Sequence, residues 1–112
     1  KCPFRITPPE VLFRGYEVGS VYEIKVEFLN REGLGRRLRL VPMQTQVFSV
    51  SSGFTYENRN VGKDASIAPG MKAHLSIWFS PLDLNDVSEV LYVQTEQGRF
   101  PIPLNARRFQ PE

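Results

Sequence analysis

The side chains able to do chemistry are few and scattered. The chain holds one histidine, His74, and one cysteine, Cys2, far apart in sequence. Catalysis needs converging groups that trade protons, attack or hold a metal. A zinc site needs about four Cys or His ligands, which this chain does not have. Asp83, Asn85 and Asp86 resemble a calcium loop only in part. The glycine and the distal glutamate of such a loop are missing, so a strand-connecting turn is the simpler reading. No glycine-rich phosphate loop and no Gly-x-Ser-x-Gly occurs. The expectation is a protein that is not an enzyme, with no cofactor and no metal site.

The positive signal is arginine. Arg31, Arg36, Arg37 and Arg39 fall on or just before a short run in which Leu38 and Leu40 alternate with Arg37 and Arg39. If the leucines face a core, Arg37 and Arg39 point outward together. Ten of the fourteen basic residues are arginine. Its planar fork makes bidentate contacts to carboxylates and phosphates and suits interfaces better than lysine. A protein partner with acidic side chains fits this pattern. Ordinary cross-strand pairing with Glu23 or Glu27 is the alternative. Trp78 and Tyr92 are a second signal, since both alternate away from the inferred core face, and exposed aromatics are enriched in interfaces. Phe54 and Tyr56, after Gly53, are a third candidate contact surface. His74 falls on the polar side of its run, beside Lys72 and Trp78, and reads as a surface histidine. Cys2 reads as a resting thiol.

Composition narrows the class. At 112 residues the chain has the size of one domain. Hydrophobic residues are 41% and charged residues 23%, enough apolar content for a packed core. No apolar run reaches the roughly 18–20 residues that span a bilayer. The single cysteine and the absence of any Asn-x-Ser/Thr site point to a reducing, intracellular compartment. The chain opens on Lys1 rather than Met and is read as a domain of a longer parent. Net charge is +2 but unevenly spread. Arg31, Arg36, Arg37, Arg39, Arg59 and Lys63 dominate residues 31–63, whereas Asp83, Asp86, Glu89 and Glu96 lie in 81–98 with no Lys or Arg. That acidic stretch and the lack of a nucleic-acid motif rank nucleic acid below protein as a partner, at a pI of about 8.9.

The elements that must position these residues show a period of two, the signature of half-buried strands. Tyr22, Ile24, Val26 and Phe28 alternate with Glu23, Lys25 and Glu27; Ala73, Leu75, Ile77 and Phe79 alternate with Lys72, His74, Ser76 and Trp78. Leu91, Val93 and Thr95, then Phe100, Ile102 and Leu104, repeat the pattern. Pro8-Pro9, Gly53, Pro69-Gly70, Pro81 to Asp86 and Gly98 separate the runs. Seven to eight short strands spaced this way predict an all-β sandwich. Pro101 and Pro103, two apart, lack N–H groups on the same side of their strand, which predicts an open edge there. That edge resists strand addition by a partner. A periplasmic pilus chaperone, which exploits a bindable edge, is disfavoured for the same reason.

The order of these signals resembles the immunoglobulin-like domains of the ASH type, within the major-sperm-protein (MSP) and PapD-like superfamily. The resemblance runs from about Ile6 to Ala106. It rests on Pro9-Glu10-Val11-Leu12-Phe13 with Tyr16-Glu17-Val18-Gly19, then on the alternating run Tyr22 to Asn30 that closes in Asn. Phe48-Ser49-Val50 follows, then Pro69-Gly70 before Leu75 to Pro81, and the final hairpin Leu91 to Leu104 around Gly98. Two departures are local: Arg14 separates Phe13 from Gly15, and the closing run ends Asn105-Ala106 where the family often has Gly. The lysine-rich peptide-binding surface of some superfamily members has no counterpart. The resemblance implies an immunoglobulin-like β-sandwich with its core in 6–106, and residues 107–112 as a linker or tail. It also implies a scaffold module of a ciliary, flagellar or centrosomal protein, monomeric when isolated. Its partners would be proteins, tubulin or microtubule-associated proteins among them, met through Arg31, Arg36, Arg37, Arg39, Trp78 and Tyr92. A spacer domain in a tandem array with no partner of its own is the alternative.

Overall fold

The computed structural model describes residues 1–43 and 45–108. Among them run eleven strands and no helix: β1 (Phe4–Thr7), β2 (Val11–Arg14), β3 (Tyr22–Asn30), β4 (Arg36–Leu40), β5 (Phe48–Val50), β6 (Phe54–Tyr56), β7 (Arg59–Gly62), β8 (Asp64–Ile67), β9 (Lys72–Phe79), β10 (Val87–Thr95) and β11 (Gly98–Arg107). They form two sheets. The first has the order β1-β3-β9-β6-β7, with β5 also paired to β9; the second has the order β2-β11-β10-β4-β8. This is the expected all-β sandwich. The strand count exceeds seven or eight because short strands flank two points where the chain changes sheet and two more, β5 and β6, pair with β9. Pro8-Pro9 separates β1 in the first sheet from β2 in the second, since proline cannot continue a ladder as a donor. Lys63 separates β7 from β8 in the same way along the opposite side.

Alternation decides what each sheet buries. Val26 and Phe28 of β3, Leu38 and Leu40 of β4, all four apolar positions of β9, and Leu91, Val93, Ile102 and Leu104 of the long hairpin line the core. Phe79 is the hub of an aromatic cluster, with Tyr16 edge-on at 4.7 Å, Phe48 stacked at 5.0 Å and Phe13 at 5.2 Å. Burying each such ring stabilises the fold by about 2–3 kcal/mol. Phe54, expected on a contact surface, is instead fully buried and packs edge-on against Phe28 at 5.5 Å. The reason is that β6 pairs with β9, so alternation turns Phe54 inward and leaves Thr55 outside.

Two local devices hold the frame. Asn30, fully buried at the end of β3, donates through Nδ2 to the carbonyls of Leu34 and Ile67 and accepts the Glu32 N–H at Oδ1. Its side chain thus ties the 31–35 turn to Ile67 at the end of β8 and joins both sheets, while its backbone pairs with Met71 and Gly70 of the following turn. Gly70 sits at φ +74°, the conformation a turn with Pro before Gly requires. Gly53 has a different duty: a Cβ there would lie 2.4 Å from the Gly62 backbone, so only glycine lets the two segments meet.

The proline edge is as expected. Pro101 and Pro103 pair with Tyr92 and Val90 of β10, while β2 joins the far side of β11 only from Leu104 onward. The stretch before Leu104 is therefore open on one side, where the missing N–H groups fall. β11 runs through Arg107; of the segment 107–112 only Arg107 and Arg108 are among the described residues.

Candidate functional site

Strand β4 lies between β10 and β8, so its outward arginines belong to the outer face of the second sheet. Arg36 is half-buried and gives both Nε (3.0 Å) and Nη2 (2.6 Å) to Glu32 Oε1. Arg37 is exposed; its Nη2 reaches Asp64 Oδ2 at 2.8 Å and its backbone N–H donates to Glu96 Oε1. Arg31, beyond β3, donates to the Cys2 carbonyl. Arg39 is exposed and makes no ion pair among the described residues. Pairing with Glu23 or Glu27 does not occur, because those residues face outward from the first sheet, on the other side of the sandwich. There Glu23 accepts a hydrogen bond from Ser76, and Glu27 lies 3.6 Å from both Lys72 and His74.

Register builds rows across the second sheet. Asp64, Arg39, Gln94 and Arg99 form one row, running through β8, β4, β10 and β11. Arg99 Nε donates to Gln94 Oε1 at 3.3 Å, and Arg99 likewise has no ion pair among the described residues. A notch of about 120 Å³ opens here, lined by Arg39, Arg99, Gln94, Val41 and Pro42. The next row holds Tyr92 opposite Pro101, with the Val41 N–H donating to the Tyr92 carbonyl; beyond it Val90 faces Pro103. Val90 and Tyr92 are about 40% exposed, high for apolar side chains in mid-sheet. A cationic row thus adjoins an apolar one.

The candidate residues therefore divide. Arg37, Arg39 and Tyr92 share one outer face; Arg36 is in phase with the inward Leu38 and Leu40, and Arg31 lies beyond β3 of the first sheet, bonded to Cys2 and Pro3. Trp78 lies on the opposite face, half-buried between Glu23 and Ser49. Arg99 escaped the sequence reading although the signal was present: it alternates in phase with Pro101 and Pro103, and so points outward with them.

The other chemistry-bearing residues are engaged locally. Asp83 Oδ1 accepts the Asn85 N–H and Asp86 Oδ1 accepts the Arg108 N–H, while Tyr16 donates its hydroxyl to the Asn85 carbonyl at 2.6 Å. Burial, reinforced by Asp86 and Asp83, pushes the Tyr16 hydroxyl above the usual tyrosine range. Burial also raises the Cys2 thiol, against the opposing Phe4 backbone bond and the Arg31 charge.

Comparison with known proteins places this geometry. Residues 4–106 match the family described as the CFAP74 first Ig-like domain. The chain is 34% identical over 109 residues to human deleted in lung and esophageal cancer protein 1, covering 96% of this chain and 6% of that protein. It is 29% identical over 99 residues to the cilia- and flagella-associated protein 221 homolog of Chlamydomonas reinhardtii, covering 88% of this chain and 14% of that one. The chain thus spans a small fraction of these relatives. Among solved structures, the ASH/PapD-like domain 7 of human CEP192 superposes with a TM-score of 0.63 at 12% identity, over 98% of this chain and 87% of that one, a likeness of fold.

Proposed function

This chain belongs to the family of the CFAP74 first Ig-like domain, and from that premise we propose that it is a non-catalytic protein-interaction module of a cilia- or flagella-associated protein. It attaches through the outer face of the second sheet to acidic partner surfaces, the acidic tails of tubulin being the partner to test first. One observation carries this reading: Arg39 and Arg99 stand exposed on one face without an ion pair among the described residues. A guanidinium is more weakly hydrated than an ammonium and forms bidentate bonds with carboxylates. The relatives named for cilia and flagella support the cellular setting.

Co-sedimentation with microtubules tests this, at low and physiological salt, with intact tubulin and with tubulin lacking its acidic tails. Tail-dependent binding that weakens with salt is expected, because screening reduces contacts between exposed charges. Reversal of Arg36, Arg37 and Arg39 to Glu should abolish it while the β circular-dichroism signal stays. Binding that survives the reversal moves the contact elsewhere. A second reading, a spacer without a partner, draws on the elongated shape: the body measures 44 × 27 × 21 Å, with Phe4 of β1 beside Asn30 and Arg107 of β11 beside Arg14, at opposite ends. It predicts no pelleting at either salt.

A further inference from the structure

We propose that the Arg39–Arg99 notch and the apolar row beside it read an extended acidic segment of a partner protein. A carboxylate sits between the two guanidiniums, and an apolar side chain two residues along rests on Tyr92 and Pro101. This rests on the outer face of the second sheet being the attachment surface, and it names the chemistry that surface selects.

Spacing supports the match. Arg39 and Arg99 flank Gln94 in one cross-strand row, so their strands stand about 10 Å apart, two strand spacings. A carboxylate over Gln94 is within reach of both flexible side chains. The Tyr92–Pro101 row lies two residues further along β10, about 7 Å away. An extended partner repeats its same-side side chains at that same interval of about 7 Å. One segment running along β10 therefore sets an acidic residue over the notch and its i+2 neighbour over Tyr92.

The surroundings favour a carboxylate on a carbon stem. Val41 and Pro42 line one side of the notch, a wall suited to methylenes and not to a fully solvated dianion. The nearby acids, Asp64 and Glu96, are both held by Arg37, one through its guanidinium and one through its backbone N–H. Arg39 and Arg99 are thus left for an outside anion. The partner contacts the face through side chains, because Pro101 and Pro103 remove the donors a β-strand would need along this edge of β11.

Fluorescence polarisation with short labelled Ser/Gly peptides tests the proposal against the 112-residue chain. One peptide carries Glu and Phe two positions apart; the others replace Phe by Ser or Glu by phosphoserine. The Glu-x-Phe peptide is expected to bind roughly fivefold or more tighter than Glu-x-Ser, since the apolar contact adds to the charge. Arg99→Gln should weaken it about tenfold and Tyr92→Ser should erase the preference for Phe. Equal affinity for Glu-x-Phe and Glu-x-Ser, or tighter binding of the phosphoserine peptide, overturns the proposal. Microtubule pelleting separates the two levels. Pelleting lost in the Arg36/Arg37/Arg39 reversal but intact in Arg99→Gln overturns the notch and leaves the attachment surface standing. Pelleting intact in both, with no peptide bound, overturns both.

Discussion

The two outer faces of this sandwich are written in the same alternating pattern and end in different states. On the first sheet only part of the outward charge is answered: Glu27 lies 3.6 Å from Lys72 and from His74 and Glu23 takes the Ser76 hydroxyl, while Arg5, Lys25 and Arg59 make no ion pair among the described residues. On the second sheet Arg39 and Arg99 have no acidic partner, and Val90 and Tyr92 stay exposed beside them. A charge already paired within its face offers little to a partner, because binding must first break that pair. A face with open guanidiniums next to apolar rows offers both attraction and area to bury. Register alone does not make the difference: Asp64 stands opposite Arg39, but its carboxylate bonds Arg37, and the second sheet sets Arg39 and Arg99 in one row beside exposed Tyr92.

The largest expected effect tests the frame that both faces share. Asn30→Leu leaves the carbonyls of Leu34 and Ile67 and the Glu32 N–H without their partner at a buried site, and should lower stability by about 3 kcal/mol in urea unfolding. A loss under about 1 kcal/mol would mean that the two turns hold without it. Next comes a mirrored pair of reversals. Arg39→Glu with Arg99→Glu should weaken acidic-peptide binding by about 2–3 kcal/mol, roughly 30- to 150-fold. Lys25→Glu with Lys72→Glu on the first sheet should change it less than about twofold, a screened surface effect. Equal losses from the two pairs would dissolve the contrast into net charge. The aromatic pair follows. Tyr92→Ser should cost about 1 kcal/mol of binding and little stability, whereas half-buried Trp78→Ser should cost about 1 kcal/mol of stability and leave acidic-peptide affinity unchanged. Thermal melts and the same polarisation assay distinguish them. The smallest effect is the most pointed. Glu27→Gln removes the shared partner of Lys72 and His74, with a stability change under about 0.5 kcal/mol because these side chains are partly exposed. Weak acidic-peptide binding should then appear on the first sheet, detectable as shifted Lys72 and His74 NMR signals. Its absence would show that unpaired charge alone does not make a binding face.

The inward residues were legible because burial follows period two. Alternation alone marks Val26, Phe28, Ala73, Leu75, Ile77, Phe79, Leu91, Val93, Ile102 and Leu104 as core, and all are buried. The proline edge was equally legible, since a missing N–H is a property of the residue. Phe54 was misread because β6 is three residues long, too short to display a period, and its inward turn comes from pairing with β9. The candidate site was half legible. Arg37 and Arg39 could be seen to point outward, but their partners could not. Sequence offers Glu23 and Glu27 as cross-strand partners, whereas the acids that meet the arginines are Glu32 and Asp64. Trp78 and Tyr92 carry the same outward signal yet fall on opposite sides of the molecule.

Sequence by itself determined that this chain is a sandwich of short strands, which side chains turn inward, and where a strand edge is closed to addition. Each of these follows from local facts: period two, proline's missing donor and glycine's freedom at a turn. Tertiary structure alone decided that Arg39 and Arg99, sixty residues apart in sequence, flank one glutamine. It also decided that Tyr92 joins them and Trp78 does not. The physical reason is that alternation tells a side chain only to face outward. Which outer face it joins depends on the sheet its strand enters, and long-range hydrogen-bonded pairing settles that.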